Sequence, residues 1–389
     1  MSAGGAAEVT PTPHAWRVGQ WVLLACLTSA QALVGPVGSC ESTPPEPVAL
    51  TIDALDGMTR LPGELGPLPP VPVSADNPQG EAKVELGRKL FFDARLSRDR
   101  IQSCASCHDP EKGFSDGRPR ALGFEGRELA RRSPSVLNAA YNHHQFWDGR
   151  ASSLEQQAEG PLLAAAEMNM SADLLSARLG AIPEYNRLFQ GVFEGSPTLK
   201  KVAKAIAAFE RTLITPNAPF DAYARGNRNA LTINEKRGLI LFIGKAACVQ
   251  CHNGPTFTDS RFHRLGVPRR TLGPEDVGRF AVSGHDQDRG AFKTPTLRNV
   301  SLGAPYMHDG ALKTLEEVVD FYDRGGDLDP QKSPLIFELG LSKQEKSDLI
   351  AFLRSLTGEG PVGSTPGRRV PMTAAVAPVP PGTRTLGLR

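Results

Sequence analysis

Apolar side chains recur every three or four residues along much of the chain, a spacing that predicts helices with one buried face. The clearest run is Leu199, Val202, Ala203, Ile206 and Phe209. The residue-by-residue alternation typical of strands is sparse. The pattern therefore predicts a mainly α fold with long loops.

Start signals indicate three further helices. A Ser or Thr followed three residues later by Glu is typical of a helix N-terminus, because each side chain can accept a hydrogen bond from the other residue's backbone N–H. The chain carries this pair at Thr232 and Glu235, at Thr314 and Glu317, and at Ser342 and Glu345. We predict that a helix begins directly after each Ser or Thr.

Breaks in the helical pattern predict the domain organisation. Two prolines within residues 215–219 interrupt the period and predict a boundary between a first domain, residues 81–215, and a second, residues 216–357. The Pro-rich stretch 41–80 predicts an extended linker. The Gly-, Pro- and Arg-rich stretch 358–389 predicts a disordered tail.

Residues 1–40 have the composition of a signal segment. Arg17 precedes an apolar run over residues 21–37 that is too interrupted for a membrane span. The run ends with small residues before Cys40, as at a bacterial lipoprotein cleavage site. Two interpretations stay open, a lipid anchor on Cys40 or an ordinary secretory signal in which Cys40 is incidental. Either one predicts export to a bacterial periplasm.

Bulk composition narrows the classes of function. The 389 residues are enough for two domains with buried cores. The 44 Lys and Arg residues nearly balance the 42 Asp and Glu residues, giving a net charge of +2, and no basic stripe stands out. Nucleic acid is therefore not an expected partner.

Four of the six cysteines lie in two identical C-x-x-C-H motifs. The motifs comprise Cys104, Cys107 and His108, and Cys248, Cys251 and His252. Two thiols three residues apart on a helical turn can bond to the two vinyl groups of one haem, and the following His can bind its iron. A redox-active Cys pair does not require the His, and a zinc site built from both pairs would leave both histidines unexplained. The motifs therefore predict two covalent c-type haems, one in each of two cytochrome c-like domains.

Five sequence blocks around these motifs carry a resemblance. They are ELGRKLFF at 85–92, QFWDGR at 145–150, TLITPN at 212–217, KTPTLRN at 293–299 and PYMHDG at 305–310. Together they resemble the bacterial di-haem cytochrome c peroxidase and MauG family over about residues 84–357. The resemblance implies a peroxide-reactive haem on His108 and an electron-transfer haem on His252.

The resemblance also implies roles for three other side chains. Trp147 matches a tryptophan between the two haems, although a buried core Trp is the alternative interpretation. Gln157 and Glu167 match the pair above the peroxide-reactive iron, where a carboxylate can take a proton from peroxide and return it. The residues alone, without the resemblance, would favour a solvated charge at a helix end for Glu167.

Two positions depart from the pattern of the reductively activated peroxidases in this family. They carry a His on the loop after the first haem motif, and this chain has Phe124 there, with His143 or His144 as possible substitutes. They also supply a Met to the second iron. The matching residue here is Tyr322, and the MauG-like enzymes use a Tyr ligand at this place. Met307 is the alternative ligand. Both departures favour the MauG-like branch.

A third departure concerns calcium. The resemblance implies a calcium ion between the haems, held partly by an Asn side chain, and Arg132 stands at that position. The carbonyls of Gly303 and Pro305 would still be available. An Arg would repel Ca²⁺ and could replace its charge, so calcium is doubtful in this chain.

The resemblance yields two expected activities. In the first, hydrogen peroxide produces a high-valent iron state that oxidises a partner protein in the periplasm. In the second, the chain detoxifies hydrogen peroxide with electrons from a small cytochrome or cupredoxin. A non-catalytic electron carrier is a third possibility, and Phe124 argues against it because a carrier gains nothing from an open iron site.

Overall fold

The computed structural model describes residues 50–267 and 275–360. The predicted signal segment with Cys40, and residues 361–389 of the predicted tail, lie outside these ranges. Within them the chain is mainly helical, which confirms the predicted fold class. The α-helices are α1 (Ile52–Asp56), α2 (Glu81–Phe91), α3 (Cys104–Cys107), α4 (Leu154–Leu163), α5 (Ala172–Gly180), α6 (Pro183–Phe193), α7 (Leu199–Glu210), α8 (Pro219–Ala224), α9 (Ile233–Ile243), α10 (Phe280–Ser283), α11 (Leu315–Asp323) and α12 (Lys343–Arg354).

The only regular sheet within the described ranges is a two-stranded antiparallel ribbon. Strand β1 (Phe262–His263) pairs with β2 (Phe292–Lys293), with Phe262 opposite Lys293. No helix in the part of the chain that the structure describes is long and apolar enough to cross a membrane.

The three predicted helix starts are confirmed. Helices α9, α11 and α12 begin directly after Thr232, Thr314 and Ser342, whose side chains accept the backbone N–H three residues on. Helix α7 covers the predicted apolar run and buries Val202, Ala203, Ile206 and Phe209.

The buried apolar residues form two clusters. The first gathers side chains of α2, α4, α5, α6 and α7, and the second gathers α1, α8, α9, α11 and α12. Each cluster is centred on one closely packed helix pair, α2 with α7 and α9 with α12. The contacts of Gly87 and Gly238 show how close these pairs lie. A Cβ on Gly87 would stand 1.8 Å from the carbonyl oxygen of Ala205, and one on Gly238 would stand 2.0 Å from that of Asp348.

Residues 50–80 are packed against the rest of the chain, which corrects the predicted linker over 41–80. Leu55, Leu61 and Leu65 are buried in the second cluster. Asn77 is buried against the first half of the chain, where its side-chain amide donates to the Glu155 carboxylate at 2.7 Å. The Pro content gave no sign that three leucines anchor this segment.

Thr215 joins the two halves of the chain at the predicted boundary. The side-chain amides of Asn138 and Asn299 both donate to its hydroxyl oxygen, at 2.7 and 2.6 Å. Both asparagines have positive φ, 61° and 59°. One buried threonine therefore fixes equivalent turns from both halves.

Candidate functional site

The first C-x-x-C-H motif forms a single helical turn, α3. The Ser103 backbone N–H donates to the Ser106 hydroxyl oxygen at 3.0 Å, and the His108 backbone N–H donates to the carbonyl of Cys104 at 2.9 Å. The thiols of Cys104 and Cys107 are one turn apart, so both face the same side of the turn. This is the arrangement that two thioether bonds to one haem require.

His108 is oriented by a backbone carbonyl. Its Nδ1–H donates to the Phe114 carbonyl at 3.3 Å, which leaves Nε2 free to bind a metal. Phe114 adopts a positive φ of 56°, a conformation that costs energy for a bulky residue and turns its carbonyl toward the ring. Burial also lowers the pKa of His108, which keeps the ring in the neutral form that a metal binds.

The second motif repeats this arrangement in a 3₁₀ turn, Cys248–Gln250. The His252 backbone N–H donates to the carbonyl of Cys248 at 2.9 Å, and its Nδ1–H donates to the Phe257 carbonyl at 3.0 Å. Phe257 has a positive φ of 54°. Burial lowers the pKa of His252 as well. Both histidines are therefore held in a form and orientation suited to iron.

A cavity of about 700 Å³ opens beside the second motif. Its volume lies within the range of cofactor sites, and most of its wall is apolar. The lining includes Cys248, Cys251, His252, Leu297, Tyr322 and Leu353. A large flat apolar cofactor attached to the two thiols fits this space.

One cysteine of each motif is clearly not activated for redox chemistry. Burial raises the pKa of Cys107 to about 11 and that of Cys248 to about 12. Redox-active cysteine pairs instead have lowered pKa values, since the thiolate is the reactive form. Neutral thiols at these two positions, each beside an oriented neutral His, match haem attachment and not a redox pair.

Tyr322 and Met307, the two candidate ligands for a second iron, both line this cavity. Tyr322 lies on α11 and its ring packs edge-on against Phe321 at a centroid distance of 5.3 Å. Burial raises the pKa of its phenol, and the negative charge of thiolates at Cys248 and Cys251 would raise it further. The phenol is thus neutral in the protein alone, and only a cation in the cavity would favour its ionised form.

The Phe124 loop lies beside the first motif. The Gln102 side-chain amide donates to the carbonyls of Leu122 and Gly123, each at 3.0 Å, and the Phe124 backbone N–H donates to the Ala166 carbonyl at 3.0 Å. A Cβ on Gly123 would stand 1.9 Å from the same Ala166 oxygen. This close approach brings Phe124 next to the residue that precedes Glu167.

Glu167 lies in the turn that ends α4, with its backbone N–H donating to the Ala164 carbonyl at 3.0 Å. Its carboxyl is half-buried, and burial raises its pKa while the Arg150 guanidinium partly opposes this. The Glu167 carboxylate contributes to the raised pKa of Cys107, which indicates that the carboxyl lies near the first motif. Gln157 is half-buried on the same helix. A carboxyl with a raised pKa can both accept and return a proton near neutral pH.

Trp147 is held by both halves of the chain. Its indole N–H donates to the Arg132 carbonyl at 3.2 Å, and its own carbonyl accepts the Lys293 N–H at 2.8 Å. It also lines the cavity of the second motif. Arg131 stabilises this region through a bidentate ion pair with Asp276 and a contact to Asp148, at 2.7 Å each.

The two histidines that the sequence suggested as substitute iron ligands, His143 and His144, lie shortly before Trp147. His143 is exposed, and the ring of His144 packs against Phe262 of β1 at a centroid distance of 5.8 Å. His144 thus contacts the second half of the chain.

The position that would supply a calcium ligand holds a buried cation. The Arg132 guanidinium is 7% exposed and donates from Nη2 to the Ser115 hydroxyl at 3.2 Å. Calcium takes oxygen ligands, and an Arg side chain offers donors only. The residues present therefore do not fit a calcium ion.

Several buried charged residues were missed from the sequence, and two of them have strongly shifted pKa values. Lys293 is 8% exposed on β2, where burial lowers its pKa to about 8. Glu210 is 3% exposed at the end of α7, where burial raises its pKa to about 8. The helical period could have indicated that Glu210 is buried, because this residue lies four residues after Ile206 on the buried face. The two-residue strand that holds Lys293 has no such pattern.

Comparisons with known proteins agree with this geometry. A family model described as di-haem cytochrome c peroxidase matches residues 81–229. The cytochrome-c peroxidase IdrP1 of Pseudomonas sp. (strain SCT) is 39% identical over 363 residues, which span 85% of this chain and 95% of that protein. The methylamine utilization protein MauG of Methylorubrum extorquens is 46% identical over 293 residues, 74% of this chain and 82% of that protein. A crystal structure of a MauG-like protein associated with microbial copper homeostasis matches with a TM-score of 0.70 and 36% identity, covering 75% of this chain and 94% of that one.

Proposed function

Because the chain belongs to the di-haem cytochrome c peroxidase family, we propose that it uses hydrogen peroxide to oxidise a partner protein in a bacterial periplasm. The observation that carries this proposal is Phe124. Its loop is fixed next to Glu167 by the hydrogen bond to Ala166, and its side chain cannot bind iron. A peroxidase that must be reduced before it reacts needs a ligand at this place.

Two haems would be held by the cysteine pairs and by Nε2 of His108 and His252. When bound, they supply the redox chemistry by taking two oxidising equivalents from peroxide and passing them on. Tyr322 is the proposed second ligand at the His252 site, and Met307 is the alternative. A phenolate favours a higher oxidation state of iron than a thioether does.

Glu167 is the proposed proton carrier. The O–O bond of hydrogen peroxide breaks most readily if a proton moves from the oxygen that is retained to the oxygen that departs as water. The raised pKa of Glu167 suits both steps of this proton transfer, since the carboxylate can accept the proton and the carboxylic acid can return it. Gln157 is proposed to orient peroxide by hydrogen bonding.

Trp147 is the proposed route for electrons between the two haem sites. Support comes from its two anchors, the indole N–H on Arg132 and the carbonyl on Lys293. Anchors from both halves hold the ring in one place relative to both motifs. The oxidising equivalents can then leave from the second site without peroxide reaching the partner.

The alternative function is peroxide detoxification with electrons from a small cytochrome or cupredoxin. It is supported by the extent of the likeness to a protein named cytochrome-c peroxidase, which spans 95% of that protein. The two functions differ in what the resting enzyme needs. The detoxifying enzyme of the reductively activated kind takes up one electron before peroxide reacts.

The test compares resting and reduced holoprotein. Mass spectrometry should first find two covalent haems that survive acid–acetone extraction. The fully oxidised protein should show one high-spin and one low-spin haem by electron paramagnetic resonance, and it should react with peroxide without prior reduction. A resting protein that is wholly low-spin and needs one electron first contradicts the proposal and leaves the reductively activated peroxidase.

A matched pair of variants sharpens this test. Phe124→His supplies an iron ligand on the same loop, so it should make the first haem low-spin and create a requirement for prior reduction. Phe124→Leu supplies none and should behave as the wild type does. If both variants react alike, the loop does not control access to the first site.

A further inference from the structure

Two buried cationic residues, Arg132 and Lys293, lie where the two halves of the chain contact each other. Arg132 precedes Ser133-Pro134 in the first half, and Lys293 precedes Thr294-Pro295 in the second. Their backbones make reciprocal contacts. The Arg132 N–H donates to the carbonyl of His308 at 2.9 Å, and the Lys293 N–H donates to that of Trp147 at 2.8 Å. Arg132 and Lys293 therefore both belong to the contact region between the two halves, which we call the seam.

The Arg132 side chain is enclosed within this seam. It donates to Ser115 on the loop after the first haem motif, and its Nε has no hydrogen-bond partner. Asp116 on the same loop is 6% exposed, and its Oδ2 also lacks a partner. Asp116 and the buried Tyr306 both act to raise the pKa of the guanidinium, which indicates that both lie near it. The buried arginine thus has a buried acid of the first half and a phenol of the second half in its surroundings.

A buried charge needs a compensating environment, and the Arg132 guanidinium stays charged at neutral pH. Burial lowers the pKa of Arg132 to about 10, which is still above neutral pH. Buried unpaired charges are costly and persist where the surrounding structure uses them. Here the arginine also presents the carbonyl that accepts the Trp147 indole N–H. Its side chain and backbone together connect the first haem loop, Trp147 and the second half.

We propose that the Arg132 guanidinium takes the place of the inter-haem calcium ion, so that this chain holds its haem junction with a built-in cation and needs no bound calcium. A permanent single charge with directed N–H donors replaces a divalent ion that would require oxygen ligands at the same place. Arg132 is a positioning residue in this proposal, since it acts on Trp147 and Asp116. The proposal does not depend on which substrate the enzyme oxidises.

The first arm of the test uses the wild-type holoprotein. Its calcium content is measured by elemental analysis, and its thermal unfolding is followed by haem absorption in EGTA and in millimolar calcium chloride. We expect far less than one calcium per chain and the same Tm in both solutions. One calcium per chain, or a Tm that falls in EGTA, overturns the proposal whatever the enzyme's substrate is.

The second arm uses three variants. Arg132→Asn removes the cation and supplies an oxygen ligand, so its Tm should fall by several degrees in EGTA and recover with calcium. Arg132→Lys keeps a cation and should stay indifferent to calcium. Arg118→Gln, at an exposed arginine close by in the sequence, is the matched control and should behave as the wild type does.

The calcium response separates a replaced ion from a merely structural contact. If Arg132→Asn loses stability and remains indifferent to calcium, the arginine is only a packing element and the proposal is overturned. If that variant does not fold, the wild-type arm and Arg132→Lys decide. The midpoint potentials of both haems, measured in EGTA and in calcium, should follow the same pattern as Tm.

Discussion

Gly87 in the first half of the chain and Gly238 in the second lie against the backbone carbonyls of Ala205 and Asp348. The aromatic packing next to them also matches. The rings of Phe91 and Phe209 are 5.2 Å apart, and those of Phe242 and Phe352 are 5.1 Å apart. The two halves therefore share one way of bringing a helix pair together around a haem-attachment motif.

The loops that follow the two C-x-x-C-H motifs repeat in the same way. Phe114 and Phe257 both use a positive φ to aim a carbonyl at the preceding histidine, and Asn138 and Asn299 both donate to Thr215. These contacts position the loops and do not determine a reaction.

The differences between the halves lie in side chains at matching places. Phe146-Trp147-Asp148-Gly149 in the first half corresponds to Met307-His308-Asp309-Gly310 in the second, so Trp147 stands where the second half has His308. Phe209-Glu210 corresponds likewise to Phe352-Leu353. The comparison teaches that both halves use one scaffold around a C-x-x-C-H motif, and that the differences we propose to separate a peroxide-reactive site from an electron-transfer site lie in a few unmatched residues.

The largest effect should come from Glu167, which belongs to the first site alone. Glu167→Gln removes the proposed proton carrier and should slow the reaction with peroxide by about 10²–10⁴-fold, the usual contribution of a positioned acid–base group. The check is stopped-flow absorption after mixing with peroxide, with resting haem spectra that match the wild type. Glu125→Gln, at an exposed residue of the Phe124 loop, is the control. An unchanged rate in Glu167→Gln would return Glu167 to the role of a structural charge.

The shared scaffold can be broken in either half. Gly87→Ala and Gly238→Ala each push a methyl group into a backbone carbonyl, and each should lower the free energy of unfolding by about 3 kcal/mol, at the upper end for overpacking. Denaturant unfolding measures this. Gly191→Ala on α6 has open space around it and should instead add about 0.5–1 kcal/mol. If only one of the first two variants is destabilised, the halves are not built alike.

The next effect should appear only at the second site. Tyr322→Met should raise the midpoint potential of the second haem by on the order of 100 mV, because axial ligands tune haem potentials over about 0.8 V and a thioether favours the reduced iron. Met307→Leu should leave that potential unchanged. Spectroelectrochemical titration distinguishes the two haems. A shift caused by Met307→Leu and not by Tyr322→Met would assign the ligand to Met307.

The structural features that depend only on residues close together in the chain could be predicted from the sequence. The helix starts at Thr232, Thr314 and Ser342 are set by contacts within one turn, so their Glu partners revealed them. The haem motifs are equally local.

Contacts between distant parts of the chain could not be predicted in this way. The burial of Leu55 beneath the second half, and the bond from the Trp147 indole to Arg132, depend on how the halves pack. The carbonyls of Phe114 and Phe257 that orient the histidines depend on positive φ angles, which Phe does not indicate. The sequence therefore indicates the chemistry of the sites more fully than their surroundings.

The smallest predicted effect concerns Glu210, whose matching residue in the second half is Leu353. Burial raises the pKa of Glu210 to about 8, with Arg211 opposing and Glu155 adding to the shift. The unfolded chain loses this proton near its ordinary value of 4.5, whereas the folded chain keeps it until about pH 8. The stability of the folded state should therefore fall as pH rises from about 4.5 to about 8 and then level off.

Glu210→Gln removes this titration and should be more stable than the wild type at pH 8–9 by on the order of 2 kcal/mol, with the advantage vanishing near pH 4. Glu210→Leu copies the second half and should lose the pH dependence too. The free energy of unfolding at a series of pH values measures both, with the exposed Glu128→Gln as control. An advantage that does not change between pH 4 and pH 9 would mean that Glu210 is ionised in the folded chain. The difference between the halves at this position would then concern packing and not a buried proton.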